Sequence, residues 1–171
     1  MPSEIVRPSA AINSVWSVTN AANIDDVVTQ PAAGDGATCG ISETALGAAQ
    51  QWSLGSPAAS GTMSAAVLWV RMQTDSNGDG YLSAGRIRLN GTWYTGTFAG
   101  SQPAGSFGWI SMSISGSYGE IAGSAPAFEL TYSGASPDSL VDVDVVYLDI
   151  TYVAAASPSI NPAAMLALLG V

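Results

Sequence analysis

The chain has 171 residues, 47% of them hydrophobic and 10% charged, and its four arginines against thirteen acidic residues give a net charge of −9. It contains neither histidine nor lysine, which removes the side chain that titrates near neutral pH and the usual Schiff-base amine. Such an anionic chain repels nucleic-acid phosphates and anionic membrane surfaces, so neither is an expected partner.

The length suits one domain, and the predicted elements follow in order. Met1 to Pro8 holds no apolar run of signal-peptide length, so residues 1–9 read as an extended N-terminal arm on a protein made in the cytoplasm. Ile12 to Val18 alternates with Ile12, Trp16 and Val18 on one side, the period of a first strand. Residues 20–62 are broken by Gly34-Asp35-Gly36 and Ser53-Leu54-Gly55-Ser56-Pro57 and predict short strands and ordered loops. Within them Cys39, the single cysteine, has no second thiol and no neighbouring base, the setting of an inert buried residue. Asp25-Asp26 reads as a solvated loop or a helix start.

From Ser64 to Met72, Ala66, Leu68, Val70 and Met72 share one face and Val67, Trp69 and Arg71 the other. Asp75, Asn77, Asp79 and Tyr81 occupy the first four ligand positions of a calcium loop, but Arg86 stands where the closing Glu belongs, and the flanks read as strands. Calcium is the one candidate ion; a polar turn is the alternative. Ile87 and Leu89 point opposite to Arg86 and Arg88, and Asn90-Gly91 before Thr92-Trp93-Tyr94 predicts a type I′ hairpin. Beside that turn, Trp93 and Tyr94 are candidates for an exposed platform on which a sugar ring stacks.

Trp109 to Ser115 places Ile110, Met112 and Ile114 inward and serines outward, Ala127 to Tyr132 repeats the pattern, and Leu140 to Val153 is the longest β-rich run. On that run Asp142 and Asp144 share a face, as on a solubilised strand edge. Two carboxylates could hydrolyse a glycoside without histidine, although no pair is singled out. Asn161, Pro162 and Gly170 bracket a short helix, whose Met165, Leu166, Leu168 and Leu169 would form an apolar interface at the end of a 154–171 linker and tail. The pattern as a whole predicts an all-β, antiparallel, jelly-roll-like sandwich over residues 10–153.

The Trp16-Ser17 segment, the Ile24-Asp25-Asp26-Val27 loop, the low-charge Gly/Ser/Ala-rich middle and the closing Val141 to Val153 run resemble small β-sandwich structural proteins of tailed bacteriophages: head decoration, head fibre and tail-associated types. The likeness covers residues 10–153 and is one of layout. It implies a non-enzymatic virion protein without a cofactor, present in many copies and joined to capsid or tail subunits, and to its own copies, through its ends. The alternative is a carbohydrate- or receptor-binding sandwich using exposed aromatics. A calcium-stabilised surface protein or a carboxylate glycosidase is a third reading.

Overall fold

Strands β1 (Ser3–Val6), β2 (Pro8–Ala11), β3 (Cys39–Ser42), β4 (Ala48–Leu54), β5 (Gly61–Thr74), β6 (Gly80–Leu89), β7 (Thr92–Gly96), β8 (Phe98–Ala99), β9 (Gly108–Ser115), β10 (Ala127–Gly134) and β11 (Leu140–Ala154) build two sheets, with a 3₁₀ turn at Ala21–Asn23. The computed structural model describes residues 1–42, 47–77, 79–134 and 140–156. The predicted helix, with Met165, Leu166, Leu168 and Leu169, and most of the 154–171 segment lie outside the described residues.

One sheet has the order β1-β11-β5-β9-β8, with β3 also on β11, and the other has the order β2-β4-β10-β6-β7. The named strand pairs are antiparallel. This is the antiparallel β-sandwich that the alternation predicts. Ala66, Leu68, Val70 and Met72 of β5, Ile110 and Met112 of β9, and Leu148 and Ile150 of β11 face Trp52, Ile87, Leu89, Phe128, Leu130 and Tyr132 of the second sheet in one buried core. Apolar side chains at every second position can be removed from water only by stacking two such sheets. The hairpin forms as expected, with Leu89 opposite Thr92 and positive φ at Asn90 (47°) and Gly91 (79°).

Four expectations need correction. Residues 1–9 are extended but paired: β1 lies on β11 and β2 on β4, so the chain passes from one sheet to the other around Arg7. Ile12 to Val18 is not a strand. Gln50, buried, accepts from the backbone N–H of Val15 (2.9 Å) and Trp16 (3.3 Å) and donates to the Asn13 carbonyl (2.6 Å), while the Asn13 amide bridges Ala49 and Gln51. These side-chain amides take the place of a ladder, so Trp16 is buried while Ile12 and Val18 stay 46% and 45% exposed.

Third, Asp142 and Asp144 do not share an exposed edge. β11 has strands on both sides, and Asp144 is buried beside Arg71 under the loop that carries Asp26, Gly34 and Gly36. A register shift between Val143 and Val145 sets Val145 opposite Arg71 as well. Fourth, Asp26 is half-buried against Asp144 instead of lying in an open loop. Cys39 is buried as expected, with its Sγ–H donating to the Asn20 carbonyl (3.0 Å) and burial pushing its pKa up to about 12.

Candidate functional site

Adjacent residues of a strand point to opposite faces, and this separates the two members of the predicted aromatic platform. Tyr94 turns inward, packs against the core and meets Tyr118 edge-on with ring centroids 4.7 Å apart. Trp93 turns outward on the edge strand β7. A joint Trp93–Tyr94 platform is therefore not present, and Trp93 alone stands on the outer face of the five-stranded sheet.

That face is polar and ordered. In register, Trp93 lies opposite Arg88, and Thr95 lies opposite Arg86, which in turn lies opposite Glu129 and then Gln51. The guanidinium carbons of Arg86 and Arg88 sit 5.0 and 5.5 Å from the Trp93 ring centroid, within cation–π range. Arg86 donates Nε to Glu129 Oε1 (2.8 Å) and Nη2 to Oε2 (2.6 Å), and Gln51 Nε2 donates to the same Oε2 (2.7 Å). This bidentate fork fixes Arg86 over the ring of the half-buried Trp93. Beyond Thr95 the face runs into a shallow groove lined by Ser83, Ala84, Thr97, Phe98 and Gln102. The Gln102 amide accepts from the Leu82 N–H and donates to the Leu82 carbonyl, both at 2.7 Å, so it completes the β6 edge where β7 has ended. Trp93 to Thr97 spans about 13 Å along the strand direction, longer than one sugar ring.

Burial raises the Glu129 pKa, but the Arg86 and Gln51 hydrogen bonds and the Arg86 charge outweigh it, so the carboxyl titrates below its usual 4.5. A depressed folded-state pKa contributes stability above the unfolded value, and that contribution disappears as pH falls through the folded one. Glu129→Gln is accordingly expected to be less stable than the parent at pH 7 and to lose less of its stability between pH 5 and pH 2. Urea midpoints over that range check it, and parallel curves would refute the assignment.

The other outer face carries a second aromatic group, which the sequence pattern did not single out. Tyr147 lies beside Trp69 (centroids 6.3 Å) and meets Trp109 edge-on (5.8 Å). The loop before β3 lies over them: Trp109 Nε1 donates to the Ala32 carbonyl (3.2 Å), and the Gln30 N–H donates to the Tyr147 hydroxyl (3.3 Å). Under the same loop the carboxylate oxygens of Asp26, Asp35 and Asp144 lie within 4.8 Å of one another. Protein donors already hold them: the N–H of Asp35 on Asp26 (2.6 Å), the N–H of Ala37 on Asp35 (2.8 Å), and Arg71 with the Gly36 N–H on Asp144. Both oxygens of Asp144 and one each of Asp26 and Asp35 are thus engaged by the chain's own donors.

At the calcium-loop match, Asp75 Oδ1 accepts from the Asp79 N–H (3.0 Å) and Oδ2 from the Leu140 N–H (3.3 Å), while Tyr81 lies exposed on β6. Gly78 lies outside the described residues. Asp75 thus ties a turn to the start of β11, and Asn77 is exposed.

No protein-family model matches the chain, and no curated protein matches it. Solved structures do. A family 35 carbohydrate binding module from Clostridium thermocellum is similar at 14% identity over 90% of this chain and 100% of that one, with a TM-score of 0.45. The CBM36-1 domain of a multidomain xylanase, from the hindgut metagenome of Trinervitermes trinervoides, gives 14%, 90%, 100% and 0.41. The Agl-KA catalytic domain gives 19% identity and a TM-score of 0.44 over 94% of this chain, which spans 30% of that longer one. At such identities a binding surface has to be located from this chain's own side chains.

The sequence pattern points to Trp93 but does not place Arg86, Arg88, Glu129 and Gln51 around it. Arg86 and Arg88 are legible as outward neighbours from their spacing on β6. Glu129 and Gln51 lie 43 and 35 residues from Arg86 (129 − 86 and 86 − 51), and only the sheet order brings them to its side.

Proposed function

We propose that this protein is a non-catalytic β-sandwich module that binds a carbohydrate on the outer face of its five-stranded sheet. The observation that carries this reading is Trp93, an outward indole on an edge strand, held by two guanidiniums and continued by a polar groove. A sugar ring presents an apolar CH face and a hydroxyl rim, which are complementary to an aromatic face bordered by fixed hydrogen-bonding groups. Catalysis has no support on this face, because both oxygens of its Glu129 carboxylate are already taken by Arg86 and Gln51. Trp93→Ala is expected to weaken oligosaccharide binding at least tenfold, or about 1.4 kcal/mol, without changing the melting temperature by more than a few degrees. Titration calorimetry against a panel of plant, algal and bacterial oligosaccharides measures it. A folded parent protein that binds none of them defeats the reading.

A second reading, a virion subunit held by protein contacts, is favoured by a different observation. Exposed aliphatic side chains concentrate near the N-terminal end, at Ile5, Ile12, Val15, Val18 and Val27, where a neighbouring subunit would bury them. Native mass spectrometry separates the two, since the virion subunit would be oligomeric and the binding module has no need to be.

A further inference from the structure

We infer that the ligand of the Trp93 face carries a negative charge, a carboxylate or a sulfate on the sugar, and that Arg88 is the residue that reads it. This rests on the carbohydrate reading above and adds the ligand class.

The chain has four cationic side chains in all, and two of them converge on one indole. Two like charges over one ring repel each other, and a carboxylate beside either one relieves that repulsion. Arg86 is compensated by Glu129, and Arg71 by Asp144. Arg7 donates to the Asp26 carbonyl, lies 5.5 Å from the Tyr147 ring centroid, and feels the nearby Asp25 and Asp26 charges. Arg88, among the described residues, has no carboxylate within ion-pair distance. Its cross-strand neighbours on the outer face are Trp93 and Ala127, neither of which offers a side-chain acceptor.

A planar guanidinium, half-buried over an indole and with no carboxylate partner among the described residues, is matched by a flat or tetrahedral oxyanion, which its fork can grip by two parallel hydrogen bonds. A sugar whose ring stacks on Trp93 places a ring substituent within reach of Arg88, since the two side chains are directly opposite in the sheet. Arg86 differs in that its Nε and Nη2 already donate to Glu129, whose carboxylate balances its charge. The charge asymmetry of this face therefore comes from Arg88.

The test uses the full chain and four probes: an oligouronate, its methyl ester, a sulfated galactan oligosaccharide and a neutral xylo-oligosaccharide. Parent protein is expected to bind the oligouronate or the sulfated probe at least tenfold more tightly than the neutral ones. Arg88→Gln should remove about ten- to hundredfold of that affinity, and Arg88→Lys, which keeps the charge without the fork, should lose less. Loss of binding on methyl esterification identifies the carboxylate, and preference for the galactan identifies the sulfate. Equal binding of acidic and neutral probes, or an Arg88→Gln variant with undiminished acidic-glycan affinity, overturns the inference while leaving the face as a sugar site. Binding of none of the four, and of nothing in the wider panel, overturns both. Thermal melts of the Arg88 variants separate lost recognition from lost folding.

Discussion

Trp52→Ala is expected to lower the unfolding free energy by about 3–5 kcal/mol. Trp52 is fully buried, stacked on Phe128 with centroids 5.1 Å apart and met edge-on by Trp16 at 5.4 Å. Truncation leaves a large cavity between the sheets and forfeits both ring contacts, each worth about 0.5–1.5 kcal/mol beyond buried area. It also strips the Thr19 carbonyl of the indole N–H that reaches it at 3.1 Å. Trp16 and Thr19 belong to a segment without a ladder, held otherwise by Gln50, by the Trp16 indole bond to the Ala48 carbonyl and by the Val18–Gly40 backbone pair. Trp52→Phe keeps a ring on Phe128 and loses only the N–H and part of the volume, so it should cost less than half as much. Guanidinium unfolding of both variants measures this, and a loss below about 1 kcal/mol for the alanine variant would mean that the aromatic cluster does not anchor the sandwich.

Arg71→Ala is expected to cost a similar amount, about 3–5 kcal/mol. Arg71 pairs with Asp144, whose side chain is fully buried, while Arg71 itself is 16% exposed. Removing the cation leaves an enclosed carboxylate, close to those of Asp26 and Asp35, with only the Gly36 N–H at 3.3 Å in support. Asp144→Asn should be milder, because Arg71 retains its route to water and its place over the Phe107 ring at 4.9 Å. The double variant Arg71→Met, Asp144→Asn should be less destabilised than the sum of its parts, since neither charge then remains uncompensated. Additive losses in that cycle would show that the two side chains act independently.

The difference between what was legible and what was not follows the range of the interaction. Alternation over β5, β9, β10 and β11 exposed the inward faces at once, because a strand presents its two faces with period two whatever surrounds it. The same period, applied to Thr92-Trp93-Tyr94, already places the two aromatics on opposite faces. Ile12 to Val18 had the right alternation and failed for another reason. Its hydrogen-bond partner is the side chain of Gln50, and no local pattern announces that an amide 35 residues away (50 − 15) will replace a strand.

Asp144 is the complementary case. Val-Asp-Val-Asp reads as a wet edge, yet the loop around Asp26 and Gly36 and the arginine on β5 convert one of its acids into a buried ion. A cover supplied by residues more than a hundred positions away is a property of the tertiary fold.

By itself, the amino-acid sequence determined that this protein is an antiparallel sandwich with the Asn90-Gly91 hairpin and that it contains neither histidine nor lysine, because composition, side-chain period and turn chemistry act over a few residues. Only the tertiary structure decided that Arg86 is paired with Glu129 while Arg88 has no carboxylate partner among the described residues. Sheet order sets which distant strands become neighbours, and charge pairing across strands is settled by that adjacency.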